Sequence, residues 1–150
     1  MTDRTVTVRA PTRIDLGGGW TDVPPYCDAL GGFVCNLAIS RYAVATVRSI
    51  ETYRDTGTSA SAHDGQDNPL IAAALRRTGM QGVHVSVAND FPVGAGLGGS
   101  SAASAAILGA LARWRGDAWD RVAIAEEGRR IEVEELGIAA RSGRSPCVTS

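Results

Sequence analysis

A chain of 150 residues with 44% apolar side chains can bury one core without disulfides or metals, and its composition is that of an ordinary soluble domain. The net charge is −1 and all fifteen basic residues are arginine, which removes any electrostatic case for nucleic acid or an anionic membrane and any lysine-based phosphate clamp. Cys27, Cys35 and Cys147 are odd in number and lack metal-ligand spacing; they suit a reducing compartment, with Cys27 and Cys35 read as buried free thiols. No signal peptide and no apolar run of bilayer length are present, so a cytoplasmic protein is expected.

In chain order, Thr5 to Arg9 alternates and reads as a first strand, stopped by Ala10-Pro11. Arg13 to Leu16 is a second short extended piece ending in Gly17-Gly18-Gly19, and the proline pair in the segment from Trp20 to Tyr26 makes that segment an ordered turn. Phe33 to Ile39 and Tyr42 to Val47 read as two strands, and residues 51–66, rich in Thr, Ser and Asp, as a surface loop. Asn68-Pro69 opens a helix to about Thr78 that Gly79 closes, with Leu70, Ile71 and Ala74 inward.

Gly82 to Ala88 is a strand, and a helix follows from Ser100 to about Arg115 with Ile107, Leu108, Leu111 and Trp114 as its inward stripe. The first two turns of that helix are nearly all Ser and Ala, so its backbone can lie close to the sheet and to a ligand. Asp117 is expected to cap a last helix from Ala118 to about Leu136, with Val122, Ala125, Val133 and Leu136 on one face. Strands early and helices in a run favour an α+β layered domain over a doubly wound parallel sheet.

Between the strand and the Ser/Ala helix lies Pro92-Val93-Gly94-Ala95-Gly96-Leu97-Gly98-Gly99-Ser100-Ser101-Ala102. Its four glycines permit positive φ and leave amide N–H groups uncovered, and Ser100 and Ser101 can cap the helix and set hydroxyls beside its positive end. A loop of bare amides entering a helix N-terminus is an anion site, most often for phosphate. The bland alternative is a glycine-rich turn capped by serine. A Walker-type module is disfavoured because no Gly-Lys-Ser/Thr follows the loop.

A second polar constellation, Arg13, Asp15, Thr21 and Asp22, surrounds the triple glycine. Asp22 can accept hydrogen bonds from sugar or polyol hydroxyls, and Arg13 can stabilise charge on a transferring phosphoryl group. The alternative is an ion pair of Arg13 with Asp15 or Asp22 that braces a turn. Trp20 is either a stacking platform for a sugar ring or a core residue. Among the acids of the last helix (Glu126, Glu127, Glu132, Glu134 and Glu135) one can face the loop and hold Mg²⁺, while the rest form a solvated face; spacing does not choose which. His63 and His84 read as structural.

Taken together, the stretch from Ala10 to Asp22 and the stretch from Pro92 to Ala102 resemble the first two motifs of the GHMP small-molecule kinases. Gly-Gly-Trp-Thr-Asp-x-Pro-Pro-Tyr and Asn36-Leu37-Ala38-Ile39 are most similar to the branch of bacterial fucokinases and heptose-7-phosphate kinases. The resemblance implies a ribosomal-protein-S5-domain-2-like α+β fold that holds ATP on the glycine loop. It would place the triphosphate against Gly94, Ala95, Gly96, Leu97, Gly98, Gly99, Ser100 and Ser101, and Mg²⁺ on Ser101 and Glu132. It also places Asp22, with Thr21 and Trp20, at the sugar hydroxyls and Arg13 beside the transferred phosphate, so that positioning and charge neutralisation do most of the catalysis.

Residues 1–138 are therefore expected to form the N-terminal ATP-binding domain, with 139–150 a tail outside the family pattern and the C-terminal domain absent. The resemblance implies a Gly-Gln-Asp segment with a catalytic aspartate after Glu-Leu-Gly-Ile, where this chain has Ala139-Ala140-Arg141-Ser142-Gly143 and no acid after Glu135. One codon choice for Arg141-Ser142-Gly143, CGG TCA GGA followed by CGN, reads Gly-Gln-Asp when shifted by one base, so a frameshift or a sequencing error near codon 140 is expected; the locus sequence tests it. Two functions remain open: an ATP-dependent sugar kinase, poorly active or inactive as this half, or a non-catalytic truncated fold that binds nucleotide weakly or serves as an interaction module. Self-association through the surface a C-terminal domain would cover is expected in either case.

Overall fold

The computed structural model describes residues 4–22, 25–50 and 68–135; the expected surface loop, His63, Leu136, Cys147 and the tail from 139 lie outside the described residues. Alternation in the first third of the chain builds two long strands, β1 (Thr5–Gly17) and β2 (Cys35–Ser49), with the short helix α1 (Tyr26–Leu30) between them. Helix α2 (Pro69–Thr78), strand β3 (Val83–Asn89), helix α3 (Gly99–Arg115) and helix α4 (Arg121–Arg130) follow, and α4 runs into a π-helical turn at Ile131–Glu135. Among the described residues the sheet is three-stranded and antiparallel in the order β1-β2-β3, an α+β arrangement.

Each of the two expected pairs of short strands is one long strand. Pro11 does not stop β1, because β1 is an edge strand in this order and its proline needs no partner for the missing N–H. The register passes from Pro11↔Tyr42 to Arg13↔Ala38, so residues 39–41 of β2 bulge opposite Thr12. Buried Thr12 fastens the bulge by donating its hydroxyl to the Arg41 carbonyl at 3.1 Å.

Ala43, Ala45 and Val47 of β2 and Val85 and Val87 of β3 form the inner sheet face. Against it α3 lays Ala102, Ala103, Ala106, Ile107, Ala110 and Leu111, and α2, packed on α3 and on the π turn, adds Ile71, Ala73 and Ala74 to the same core. The small residues let α3 approach closely: a Cβ at Gly109 would stand 3.2 Å from Val8 Cγ1. Each large aliphatic chain taken wholly from water here stabilises the fold by about 1.5–3 kcal/mol. Helix α2 has the expected caps, with the Asn68 side chain accepting from the Leu70 N–H at 3.0 Å and Gly79 in the left-handed region at φ 64°.

Three further expectations change. The last helix starts later than expected because Asp117 is held by Arg115, and Asp120 caps instead by accepting from the Ala123 N–H at 2.8 Å. Its inward line is Ile124, Gly128, Ile131 and Glu132, whereas Val122 is 63% exposed and Ala125 and Val133 are also exposed. Cys35 is exposed and Cys27 half-buried, both free, and the Cys27 thiol is pushed up by desolvation and by the neighbouring Asp28 carboxylate.

Candidate functional site

Helix α3 begins one residue before the expected serine cap. Its N-cap is Gly98, in the left-handed region at φ 67°, and no side chain caps the helix. Val93-Gly94 form a hydrogen-bonded turn, and among the described residues the amide N–H groups from Gly96 to Ser101 have no backbone or side-chain acceptor. A glycine cap thus leaves the donors at the positive end of α3 available to an anion.

The loop is anchored beneath these donors. The Arg13 N–H donates to the Leu97 carbonyl at 3.0 Å, and Leu97 packs against the core. A Cβ at Gly99 would lie 2.6 Å from the Phe91 ring, so only glycine lets the start of α3 settle here. The Arg13 guanidinium lies over Gly98, where an added Cβ would come within 3.3 Å of Nη1. Arg13 Nε also donates to Asp15 Oδ1 at 3.2 Å, so the bracing ion pair exists alongside the contact with the loop.

Ser101, in the first turn of α3, meets a carboxylate rather than capping. Its Oγ lies 3.2 and 3.4 Å from the two oxygens of Glu132, which is only 6% exposed. A hydroxyl that donates its one hydrogen to a carboxylate keeps its lone pairs for a cation. The π turn carries Glu132 to this place, and such turns recur where a helix must re-aim a functional side chain.

Asp22 reaches the same region through a tightly built turn. Gly18 has φ 72° and a Cβ there would fall 1.8 Å from the Phe33 carbonyl oxygen; a Cβ at Gly32 would fall 2.2 Å from that of Thr21. The Thr21 Oγ1 stands 2.7 Å from the Gly18 carbonyl and 2.8 Å from that of Phe33, and accepts from the Phe33 N–H at 3.0 Å.

One cavity of about 360 Å³ unites Arg13, Asp22, Gly98, Ser101 and Glu132. Gly94, Ala95, Gly96, Leu97, Gly99 and Ser100 lie outside its lining, as do Thr21, committed to the turn, and Trp20, 67% exposed at φ 73°. Two polar lining residues were missed: Asn36 at the start of β2 and Arg129 on α4. Asn36 stood in the strand and branch motif Asn36-Leu37-Ala38-Ile39 with no site role attached, and an arginine on a charged helix carries no signal of the face it takes. Among the described residues no cluster of three or more His, Cys, Asp or Glu side chains could hold a metal by itself. A carboxylate and a hydroxyl are nonetheless the hard oxygen donors suited to Mg²⁺, which takes one or two protein oxygens beside a nucleotide's phosphates.

Residues 68–144 match the GHMP kinases N terminal domain, and the chain belongs to that family. It is 29% identical to the L-fucokinase/L-fucose-1-P guanylyltransferase of Bacteroides fragilis over 89% of this chain and 18% of the relative. It is 28% identical to the D-glycero-alpha-D-manno-heptose 7-phosphate kinase of Campylobacter jejuni over 90% of this chain and 45% of that protein. The crystal structure of a D-glycero-D-manno-heptose 1-phosphate kinase from Bacteroides thetaiotaomicron superposes with a TM-score of 0.75 at 27% identity, covering 91% of this chain and 50% of that one. The chain thus spans less than half the length of these two curated relatives. No helix among the described residues is long and apolar enough to cross a membrane.

Proposed function

We propose that this chain is the nucleotide-binding half of an ATP-dependent kinase acting on a hydroxyl of a sugar or sugar phosphate. The supporting observation is the convergence, in one cavity, of the uncapped start of α3, the Ser101–Glu132 pair, Arg13 and Asp22. The amides from Gly96 to Ser101 hold the triphosphate, the loop outside the cavity lining wrapping its far side. Ser101 and Glu132 hold Mg²⁺, which when bound neutralises charge on the phosphates. Asp22 orients the acceptor hydroxyl. As the acceptor oxygen bonds to the γ-phosphorus, the bond to ADP breaks and the hydroxyl proton passes to solvent, Arg13 stabilises the charge on the moving phosphoryl group.

In calorimetric titrations with ATP, Mg²⁺ is expected to strengthen binding, and Ser101→Ala to reduce that strengthening about tenfold. No strengthening in the parent overturns the reading. Coupled ADP release with deoxysugars, heptoses and their phosphates tests turnover. Binding without any turnover favours the non-catalytic reading.

The end of the β1–β2 ribbon beyond the bulge exposes Ile14, Leu16, Phe33 and Leu37. These side chains support a contact with further polypeptide. By sedimentation the isolated chain is expected to self-associate with rising concentration, and Leu16→Asp to make it monomeric.

A further inference from the structure

We infer that Arg77, on α2 and outside the cavity, is a positioning residue that sets where the Glu132 carboxylate stands; the inference rests on the metal role proposed for Glu132. The segment from Glu127 to Glu134 changes from α to π winding, and Glu132 sits inside the change. A π turn is rare and occurs mostly as a single turn at functional sites. Arg77 holds both sides. Its Nε donates to Glu127 in the last turn of α4, and its Nη1 donates to Glu134 Oε2 in the π turn at 2.9 Å. Arg130 braces Glu127 from the other side at 3.2 Å.

Between these two anchors lie Gly128, which packs on Ser104 and Leu108 of α3, then buried Ile131 and Glu132. The Arg77 and Glu127 side chains are only 23% and 16% exposed, so their pairing is less screened than a surface contact, and both carboxylates hold Arg77 above the usual arginine value. A planar guanidinium spans two carboxylates at a fixed separation, which a lysine ammonium does not. The plain alternative is a fastener joining α2 to α4 without effect on Glu132.

The two differ in the ratio of ATP affinity with Mg²⁺ to that in excess chelator, because a fastener would move both affinities together. Arg77→Met is expected to lower the ratio about tenfold while leaving metal-free affinity unchanged, the size of effect that loss of support around a metal ligand brings, although Arg77 acts here through Glu127 and Glu134 and not on Glu132 directly. Arg77→Lys should restore part of it. Glu134→Gln removes the charge from the exposed arm and leaves at most a neutral hydrogen bond to Arg77, keeps the fold, and should lower the ratio several-fold. If Arg77→Met does not fold, Glu134→Gln decides alone. A parental ratio retained in these variants, or a parallel fall of both affinities, overturns the inference. If Glu132→Gln abolishes the ratio while Arg77→Met and Glu134→Gln retain it, the inference falls and the metal site stands. A parent with a ratio of one overturns the underlying reading and this inference with it.

Discussion

Glu132→Gln is expected to give a protein that is more stable when empty and blind to Mg²⁺. The parent holds an almost fully buried carboxylate whose hydrogen-bonding partner among the described residues is one hydroxyl, Ser101. Removing an acid from water with so little in return costs free energy that the native interactions must offset. Glutamine has the same shape, can still accept from Ser101, and carries no charge to desolvate. A gain on the order of 1 kcal/mol is expected, seen as a rise of about 2–4 °C in Tm for a domain of this size. Saturating Mg²⁺ and ATP should reverse the order, since a ligand stabilises only the protein that binds it. Thermal unfolding with and without the nucleotide measures both halves. A variant that is less stable when empty would mean that the carboxylate serves the fold, and a variant that keeps the Mg²⁺ effect would remove Glu132 from the metal site.

What could be read in the sequence followed from how local each signal was. Helix α2 was legible because Asn68, Pro69 and Gly79 act on their own backbone within a turn. The glycine loop was legible for the same reason, its positive φ angles at Gly94, Gly96 and Gly98 needing no distant partner. Pro11 misled because the weight of a proline depends on whether its strand is an edge, which is a property of the sheet. The last helix misled in two ways. Asp117 and Asp120 are equally good caps on paper, and the choice was made by Arg115, which occupies the first. The buried line then runs through Gly128 and Glu132, residues that a search for apolar periodicity passes over. Glu132 came from the family resemblance and not from spacing. Arg129 and Arg77 owe their places to docking between helices far apart in sequence.

The second large effect is expected at one end of α3 and not at the other. Gly98 and Gly116 flank the same helix in the same left-handed conformation, at φ 67° and 86°. Alanine at either position must hold a Cβ where L residues resist it, at about 1–2 kcal/mol each, so urea unfolding should show two similar losses. The surroundings differ. A Cβ at Gly116 meets nothing within 4 Å, whereas one at Gly98 comes within 3.3 Å of the Arg13 guanidinium and stands at the edge of the open amides. Gly98→Ala is therefore expected to weaken ATP binding by at least about tenfold, and Gly116→Ala to leave it unchanged in calorimetry. Equal backbone strain cancels in the comparison, so the remaining difference belongs to what the glycine uncovers. Were the two variants to bind ATP alike, the phosphates would not sit at the start of α3, and Arg13, Ser101 and Glu132 would surround a cavity with another purpose.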